Sequence, residues 1–280
     1  MRGILYISAL SIDKVTKIMM HPMLNIATQA ARQASRIILR FLDQMDKVEI
    51  SEKSINDFVT QVDKMSEEMI ISHIKKAYPD HAILSEEMGY LKGFNEEYCW
   101  IIDPLDGTRN FMHGYPHFSI SIAVQKNNVT ELGLVYDPIR QELFTATRGQ
   151  GAYVNSRRMR ISNAKRLGQT LIGTGFPFRN KENIKNYLTA FEKVFSKCGD
   201  IRRAGSAALD LAYVAAGRLD GYWESNLFNW DMAAGALMIK EAGGMVTDFQ
   251  NGETYLECGS IVAGNPKIHK ELVGLVAEPR

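Results

Sequence analysis

From Met23 to Met45 the apolar residues Ile26, Ala27, Ala30, Ala34, Ile37, Ile38, Phe41 and Leu42 recur at intervals of three and four. That spacing places them on one face of a helix. A second helix is predicted from Val62 to about Ala77, stopped by Pro79. The period then shortens. HAILS (81–85), YCWII (98–102) and HFSISIAVQ (117–125) read as strands. The third alternates Phe118, Ile120, Ile122 and Val124 with smaller or polar residues, which predicts a half-buried strand. ELGLVYDP, QELFTAT and GAYVN continue as an antiparallel meander, broken at Asp137-Pro138 and at Gly149 to Gly151.

After Asn155 the pattern changes. TLIGTG (170–175), LDGYWE (219–224) and MVTDF (245–249) alternate with helices predicted over 181–197, 206–216 and 231–242. Residues 1–155 therefore read as an α+β half and 156–280 as an α/β half, joined without a flexible linker. A packed junction of this kind is a favourable place for a ligand pocket.

A chain of 280 residues allows one large domain or two intimately packed ones. Its net charge of +1 supplies no global field that would draw it to nucleic acid or an anionic membrane. The three cysteines, Cys99, Cys198 and Cys258, are widely spaced and form no C-x-x-C pair. This usage fits a reducing compartment and excludes a disulfide framework. No apolar run reaches the ~20 residues of a spanning helix. The opening MRGILYISALS has the short apolar stretch of a signal peptide, yet it runs into Asp13 and Lys14 without a small-x-small cleavage site. The reading favoured is that translation starts at Met20 and residues 1–19 are an extension.

Candidate chemistry begins at WIIDPLDGTRNF (100–111). An apolar run ends in two aspartates, Asp103 and Asp106, that would repel each other unless a cation sat between them. Pro104 is expected to take the chain out of the sheet as a defined turn, and Gly107 to allow close backbone approach to a ligand. The amides of Gly107 and Thr108 could form a nest for phosphate. Three further acidic sites stand out: Glu86 and Glu87 after HAILS, Asp231 in NWDMAAG, and Asp57 with Asp63 in NDFVTQVD. Asp231 and Asp63 lie at helix starts, where capping is the default role. All these groups are oxygen donors and none has a histidine at ligand spacing. Such a set favours magnesium, manganese or calcium over zinc. Two or more ions on shared carboxylates suit displacement at a phosphate ester by water. Cys99, beside Trp100 in an apolar strand, reads as core. His113 and His117 flank the loop after the acidic turn, and a structural role is the better reading of both.

The chain resembles the inositol monophosphatase family, magnesium-dependent and lithium-sensitive phosphatases, and within it the bacterial SuhB-type branch. WIIDPLDGTRNF matches the D-P-x-D-G-T-x-N-F signature, and WDMAAGALMIKEAGG matches W-D-x-A-A-G…E-A-G-G. FVTQVD, YPDHAILSEE, TGFPF and RRAGSAALDLAYVAAGRLDG also read like that branch. The resemblance implies a layered αβαβα sandwich. It places metal ligands at Glu86, Asp103, Asp106, Asp231 and the Leu105 carbonyl, for two to three Mg2+ ions, with Mn2+ as an alternative. Glu86 and Thr108 would position the attacking water, with Asp106 also in the catalytic set. Gly107, Thr108, Gly205, Ser206, Ala207, Glu224, Asp106 and Asp231 would contact substrate. Asp63 and Lys53 match outer polar positions. Arg109 departs from the threonine common in relatives, and Ser85 from their glycine or threonine.

The implied activity is hydrolysis of myo-inositol monophosphate and similar small phosphomonoesters by a cytoplasmic homodimer. Relatives with the same metal signature act on fructose 1,6-bisphosphate or 3′-phosphoadenosine 5′-phosphate, although GSAALDLAYVAAGRLDGYWE sides with the inositol enzymes. The SuhB branch also implies a role in ribosomal RNA transcription antitermination, with RNA polymerase, Nus factors and RNA as partners. NSRRMRISNAKR (155–166) is the one local basic run, and runs of this kind are most often solvated loops.

Overall fold

Five layers stack in the order helices, sheet, helices, sheet, helices. The computed structural model describes residues 21–44, 48–54, 57–177, 182 and 184–277, apart from the side chains of 52–59. The Met1 start and residues 1–20 therefore lie outside the described residues, as does the side chain of Lys53.

The first outer layer is α1 (Pro22–Leu42) and α2 (Gln61–Ala77), with a β-hairpin, β1 (Ile50–Ser54) and β2 (Asp57–Thr60), between them. Proline at its first turn and the His21 side chain as cap start α1. Thr60 and Asp63 form a reciprocal capping box at the start of α2. These helices cover one face of an eight-stranded sheet of order β10-β9-β8-β7-β6-β5-β3-β4. Its strands are β3 (His81–Ser85), β4 (Gly89–Leu91), β5 (Asn95–Asp106), β6 (Ser119–Lys126), β7 (Val129–Asp137), β8 (Glu142–Thr147), β9 (Gly151–Val154) and β10 (Arg157–Arg158). Within this sheet, among the described residues, only β3 and β5 pair in parallel.

The middle layer is α5 (Ala207–Ala215) and α6 (Asn229–Glu241); short α3 (Thr108–Met112) follows β5. Beyond it lies a five-stranded sheet, β12-β11-β13-β15-β14, built from β11 (Leu171–Thr174), β12 (Asp200–Arg202), β13 (Gly221–Glu224), β14 (Met245–Thr247) and β15 (Ile261–Gly264). The last layer is α4 (Ile184–Phe195) and α8 (Pro266–Val276); α7 (Tyr255–Cys258) is a single turn before β15.

One core cluster joins Ile101, Val135 and Phe144 of the large sheet, Leu211 and Met238 of the middle helices, and Tyr222 and Ile261 of the small sheet. Close packing there needs Gly133, because a Cβ on it would lie 2.8 Å from the Ala234 Cα of α6. Two strand expectations are corrected. β6 is buried on both faces over Ser119–Val124, since α1 covers one side and α5 and α6 the other. β5 does not leave the sheet at Pro104 but runs on to Asp106. β12, β15 and α8 were not anticipated, although Asn265 caps α8 and Pro266 opens it.

Candidate metal centre

In β5, Asp103 pairs with Ser121 and Asp106 with Ser119, so three steps on one strand oppose two on the other. This is a β-bulge. Residues three apart on a regular strand face opposite sides of a sheet, and the extra residue returns both carboxylates to one side. Pro104 suits the bulge because it has no N–H to leave unpaired. The Asp103 side chain accepts the Leu105 N–H at 2.9 Å, which fixes the kink, while the Leu105 side chain is buried in the core. Gly107 then turns the chain at φ 97°, with a Cβ there 3.1–3.2 Å from His117 O, Gly205 O and Phe118 Cβ. An L side chain at this position would be strained twice over.

Asp106 Oδ2 accepts from Ser206 Oγ at 2.6 Å and Ala208 N at 2.8 Å, so it satisfies the start of α5 from another part of the chain. Asp231, in the first turn of α6, accepts the Phe228 N–H at 2.7 Å. The capping role expected of Asp231 is thus real, and the same residue also faces the acidic turn. Asp103, Asp106 and Asp231 each present an oxygen within 4.8 Å of the others. Both middle-layer helices begin here, and their positive ends favour anions.

Burial and then repulsion from Glu86, Asp106 and Asp231 push the Asp103 carboxyl well above its ordinary range. Burial raises Asp106 too, although the bonds from Ser206 and Ala208 work against it. Among the described residues no lysine or arginine forms an ion pair with Asp103 or Asp106. A buried, all-oxygen, mutually repelling set fits a hard divalent cation.

Glu86, half-buried after β3, lines the same pocket, as do Gly107, Thr108, Arg109, Gly205, Ser206, Ala207 and Glu224. The Leu105 carbonyl accepts from Thr108 Oγ1 at 3.1 Å, and Asp63 Oδ1 accepts from the same hydroxyl at 2.8 Å. Asp63 therefore stands behind Thr108, buried by α2, with Thr60 on its other oxygen. Glu87 lies apart; its backbone N–H donates to Glu67 at 2.9 Å. Cys99 is half-buried with its thiol pushed up to about 11 by burial, as a core residue should be.

At the far end of the pocket, Glu224 ends β13 and accepts from the Tyr222 hydroxyl. Burial first, then Asp231 among its neighbours, pushes its carboxyl up to about 8. Sequence reasoning passed over Arg203, Asp210 and Tyr222, which line this end. Asp210 could have been found: it is four residues after Ser206, on the same side of α5. It lies 3.4 Å from His117 Nε2, and that histidine is buried while His113 is exposed. Asn110 ties the two loops together, donating to His117 O at 2.6 Å and Ala204 O at 2.9 Å.

The αβαβα layers have known counterparts. The profile of the inositol monophosphatase family matches residues 19–278. The chain belongs to that family. It is 54% identical over 254 residues to Nus factor SuhB of Escherichia coli, covering 91% of this chain and 95% of that protein. Among solved structures, the extragenic suppressor protein suhB of Bartonella henselae superposes with a TM-score of 0.90 at 42% identity, covering 93% of this chain and all (100%) of that one. The inositol monophosphatase of Anabaena (Nostoc) gives a TM-score of 0.81 at 38% identity, with 91% and 94% coverage. No helix among the described residues is long and apolar enough to cross a membrane.

Proposed function

We propose that this chain serves as a Nus-type factor in transcription antitermination, built on an inositol monophosphatase scaffold. The observation that carries this reading is the 54% identity, over nearly the whole of both chains, to a protein named Nus factor SuhB. RNA polymerase and other Nus factors are the partners it implies, with the protein cytoplasmic and dimeric. The test is replacement of the Escherichia coli relative by this chain, reading transcription through a terminator placed behind a ribosomal RNA leader. Restored read-through supports the proposal; read-through no better than in cells lacking the relative would refute it.

The geometry favours a second activity of the same molecule, hydrolysis of small phosphomonoesters such as myo-inositol monophosphate. Glu86, Asp103, Asp106, Asp231 and the Leu105 carbonyl would hold two to three magnesium ions. Bound magnesium supplies charge neutralisation and an acidified water. The rest falls to the protein. The Thr108 hydroxyl directs its proton toward Asp63 and Leu105 O, which leaves its lone pairs to accept from a water that Glu86 orients. The Gly107 and Thr108 amides would face the phosphate oxygens, and Gly205, Ser206 and Ala207 would line the polyol side. Glu224, with its carboxyl at about 8, holds a proton at neutral pH and can donate to a polyol hydroxyl. Phosphate release from myo-inositol 1-phosphate, with magnesium varied and lithium as inhibitor, tests this activity. Fructose 1,6-bisphosphate and 3′-phosphoadenosine 5′-phosphate serve as competing substrates. Hydrolysis that needs no magnesium, or none of any substrate, would remove it.

A further inference from the structure

The basic run at 155–166 has no part in the acidic pocket. Its structure is nonetheless ordered and unusual. Asn155 and Ser156, at φ 45° and 66°, form a two-residue turn between β9 and β10, the I′ geometry favoured by tight hairpins. β10 is the open edge of the large sheet. Beyond it the backbone is pinned repeatedly. Met159 is buried and its N–H donates to Ala152 O at 2.8 Å; Ile161 N donates to Ala242 O at 3.3 Å. Asn265 holds the carbonyls of Ser162 and Ala164 at 3.2 and 2.9 Å. A solvated loop of the ordinary kind would not be fastened at so many points.

On this fixed track Arg157, Arg158, Arg160, Lys165 and Arg166 are all exposed. None of the five forms an ion pair among the described residues, although Arg157 is near enough to help hold down the Glu142 carboxyl, which Arg218 pairs. Other cations are paired: Arg140 with Asp137, Arg148 with Glu131, Arg218 with Glu142, Lys126 with Glu97 and Lys92 with Glu96. In a chain of net charge +1, five unpaired cations without an intervening acid are a local excess that folding does not explain. Charges on an edge strand do deter pairing with other chains. That purpose is met by β10 itself, and does not account for Lys165 and Arg166 beyond it.

We infer that this hairpin and the pinned segment after it form a surface that binds the phosphodiester backbone of a nucleic acid strand. Four of the five cations are arginines, whose planar forks match phosphate oxygens with two donors at once. Rigid backbone keeps low the entropy lost when they are engaged. Bases would add little, because the run has no interleaved aromatics. The surface should accept RNA and DNA alike, with affinity set by salt. The inference deepens the transcription reading, but it can fail alone: a chain that restores read-through without binding through these residues would keep that reading and lose this one.

The experiment is fluorescence anisotropy of a labelled single-stranded RNA 20-mer and its DNA equivalent, titrated with the full chain at several salt concentrations. Each phosphate contact on a single strand contributes a slope of about −0.7 in log affinity against log salt. Substituting Arg157→Ser, Arg158→Ser and Arg160→Ser together should flatten that slope by about 2 and weaken binding at least ~10-fold at 0.1 M salt. The matched control, Lys92→Ser with Lys126→Ser and Arg148→Ser, removes three cations that are already paired and should bind as the wild type does. Melting temperature checks the fold, and Lys165→Glu with Arg166→Glu provides a second variant outside the strand. The proposal is overturned if the wild type fails to bind at 0.05 M salt (roughly the low-salt end of such titrations), if both triple variants weaken equally, or if polyglutamate competes as well as unlabelled RNA. The last result would point to an acidic protein partner.

Discussion

Asp248 and Asp103 are buried to nearly the same degree, at 5% and 2% exposure, and carry opposite shifts. Burial works to raise both. Around Asp248, after β14, the N–H groups of Gln250 and Gly252 and the Thr254 hydroxyl donate at 2.7–2.8 Å, and together they hold its carboxyl below the ordinary range. Asp103 receives the Leu105 N–H and faces three other carboxylates. The first loop answers its own charge with donors. The second leaves charge unanswered at the mouth of a pocket, and only something from outside can answer it. Residue type and surface exposure are alike in both; depth beneath the surface, neighbouring carboxylates and the supply of donors together separate a structural aspartate from a site aspartate.

The hardest blow to this contrast falls on activity. Asp106→Asn should reduce magnesium-dependent phosphate release by more than the ~10–100-fold typical of losing a partner behind a ligand. Asp248→Asn should leave activity per folded molecule unchanged. Steady-state rates at saturating magnesium check both, and equal losses would erase the distinction. Next in size is stability. Asp248→Asn places an amide against donors and should cost about 1–3 kcal/mol in urea denaturation.

Asp103→Asn should do the reverse in EDTA at pH 8, raising stability by about 1 kcal/mol as repulsion is relieved. In magnesium the advantage should vanish, because only the wild type gains from the ion. A lower melting temperature for Asp103→Asn in EDTA would mean that the triad is not under electrostatic stress. The smallest effect concerns Glu224. Its carboxyl is raised in the folded state to about 8, so stability present below the unfolded value is lost as pH climbs toward 8. Linkage sets a ceiling of about 1.4 kcal/mol per pH unit in that window. Glu224→Gln should therefore gain on the wild type between pH 6 and pH 7, by a few tenths to about 1 kcal/mol, as read by paired denaturation curves.

The helices α1, α2 and α6 were legible because their apolar spacing or small-residue runs persist over several turns. The bulge was not. D-P-L-D reads as a turn leaving the sheet, since Pro104 would normally end a strand; pairing with Ser119 and Ser121 keeps it in place, and that partner is remote in sequence. β6 alternates as a half-exposed strand does, but Ser119 and Ser121 are buried because their hydroxyls reach Ser206 Oγ at 3.2 Å and the Trp230 carbonyl at 3.0 Å. Period reports which positions are apolar, and burial of the polar ones depends on partners that period cannot name. At the site, Asp103 and Asp106 stood out because two acidic groups in one short turn are visible in a sequence. Asp231 read by itself as a helix cap and joined them only through the family resemblance; the fold brings all three together. Arg203 and Tyr222 did not stand out, because they carry no pattern and reach the pocket through the ends of β12 and β13.

The layer formed by α5 and α6 has one more consequence. These helices are the wall between the two sheets, and the core they build takes side chains from both. Many enzymes that handle phosphates close two rigid bodies around a hinge. This wall leaves no seam along which the sheets could swing. Asp231 and the donors that grip Asp106 are anchored in masonry, and their amide hydrogens should exchange only when the whole chain unfolds. The rim is tied as well, because Asn110 holds α3 to the turn before Gly205, so a ligand meets an inner face already set in its final shape.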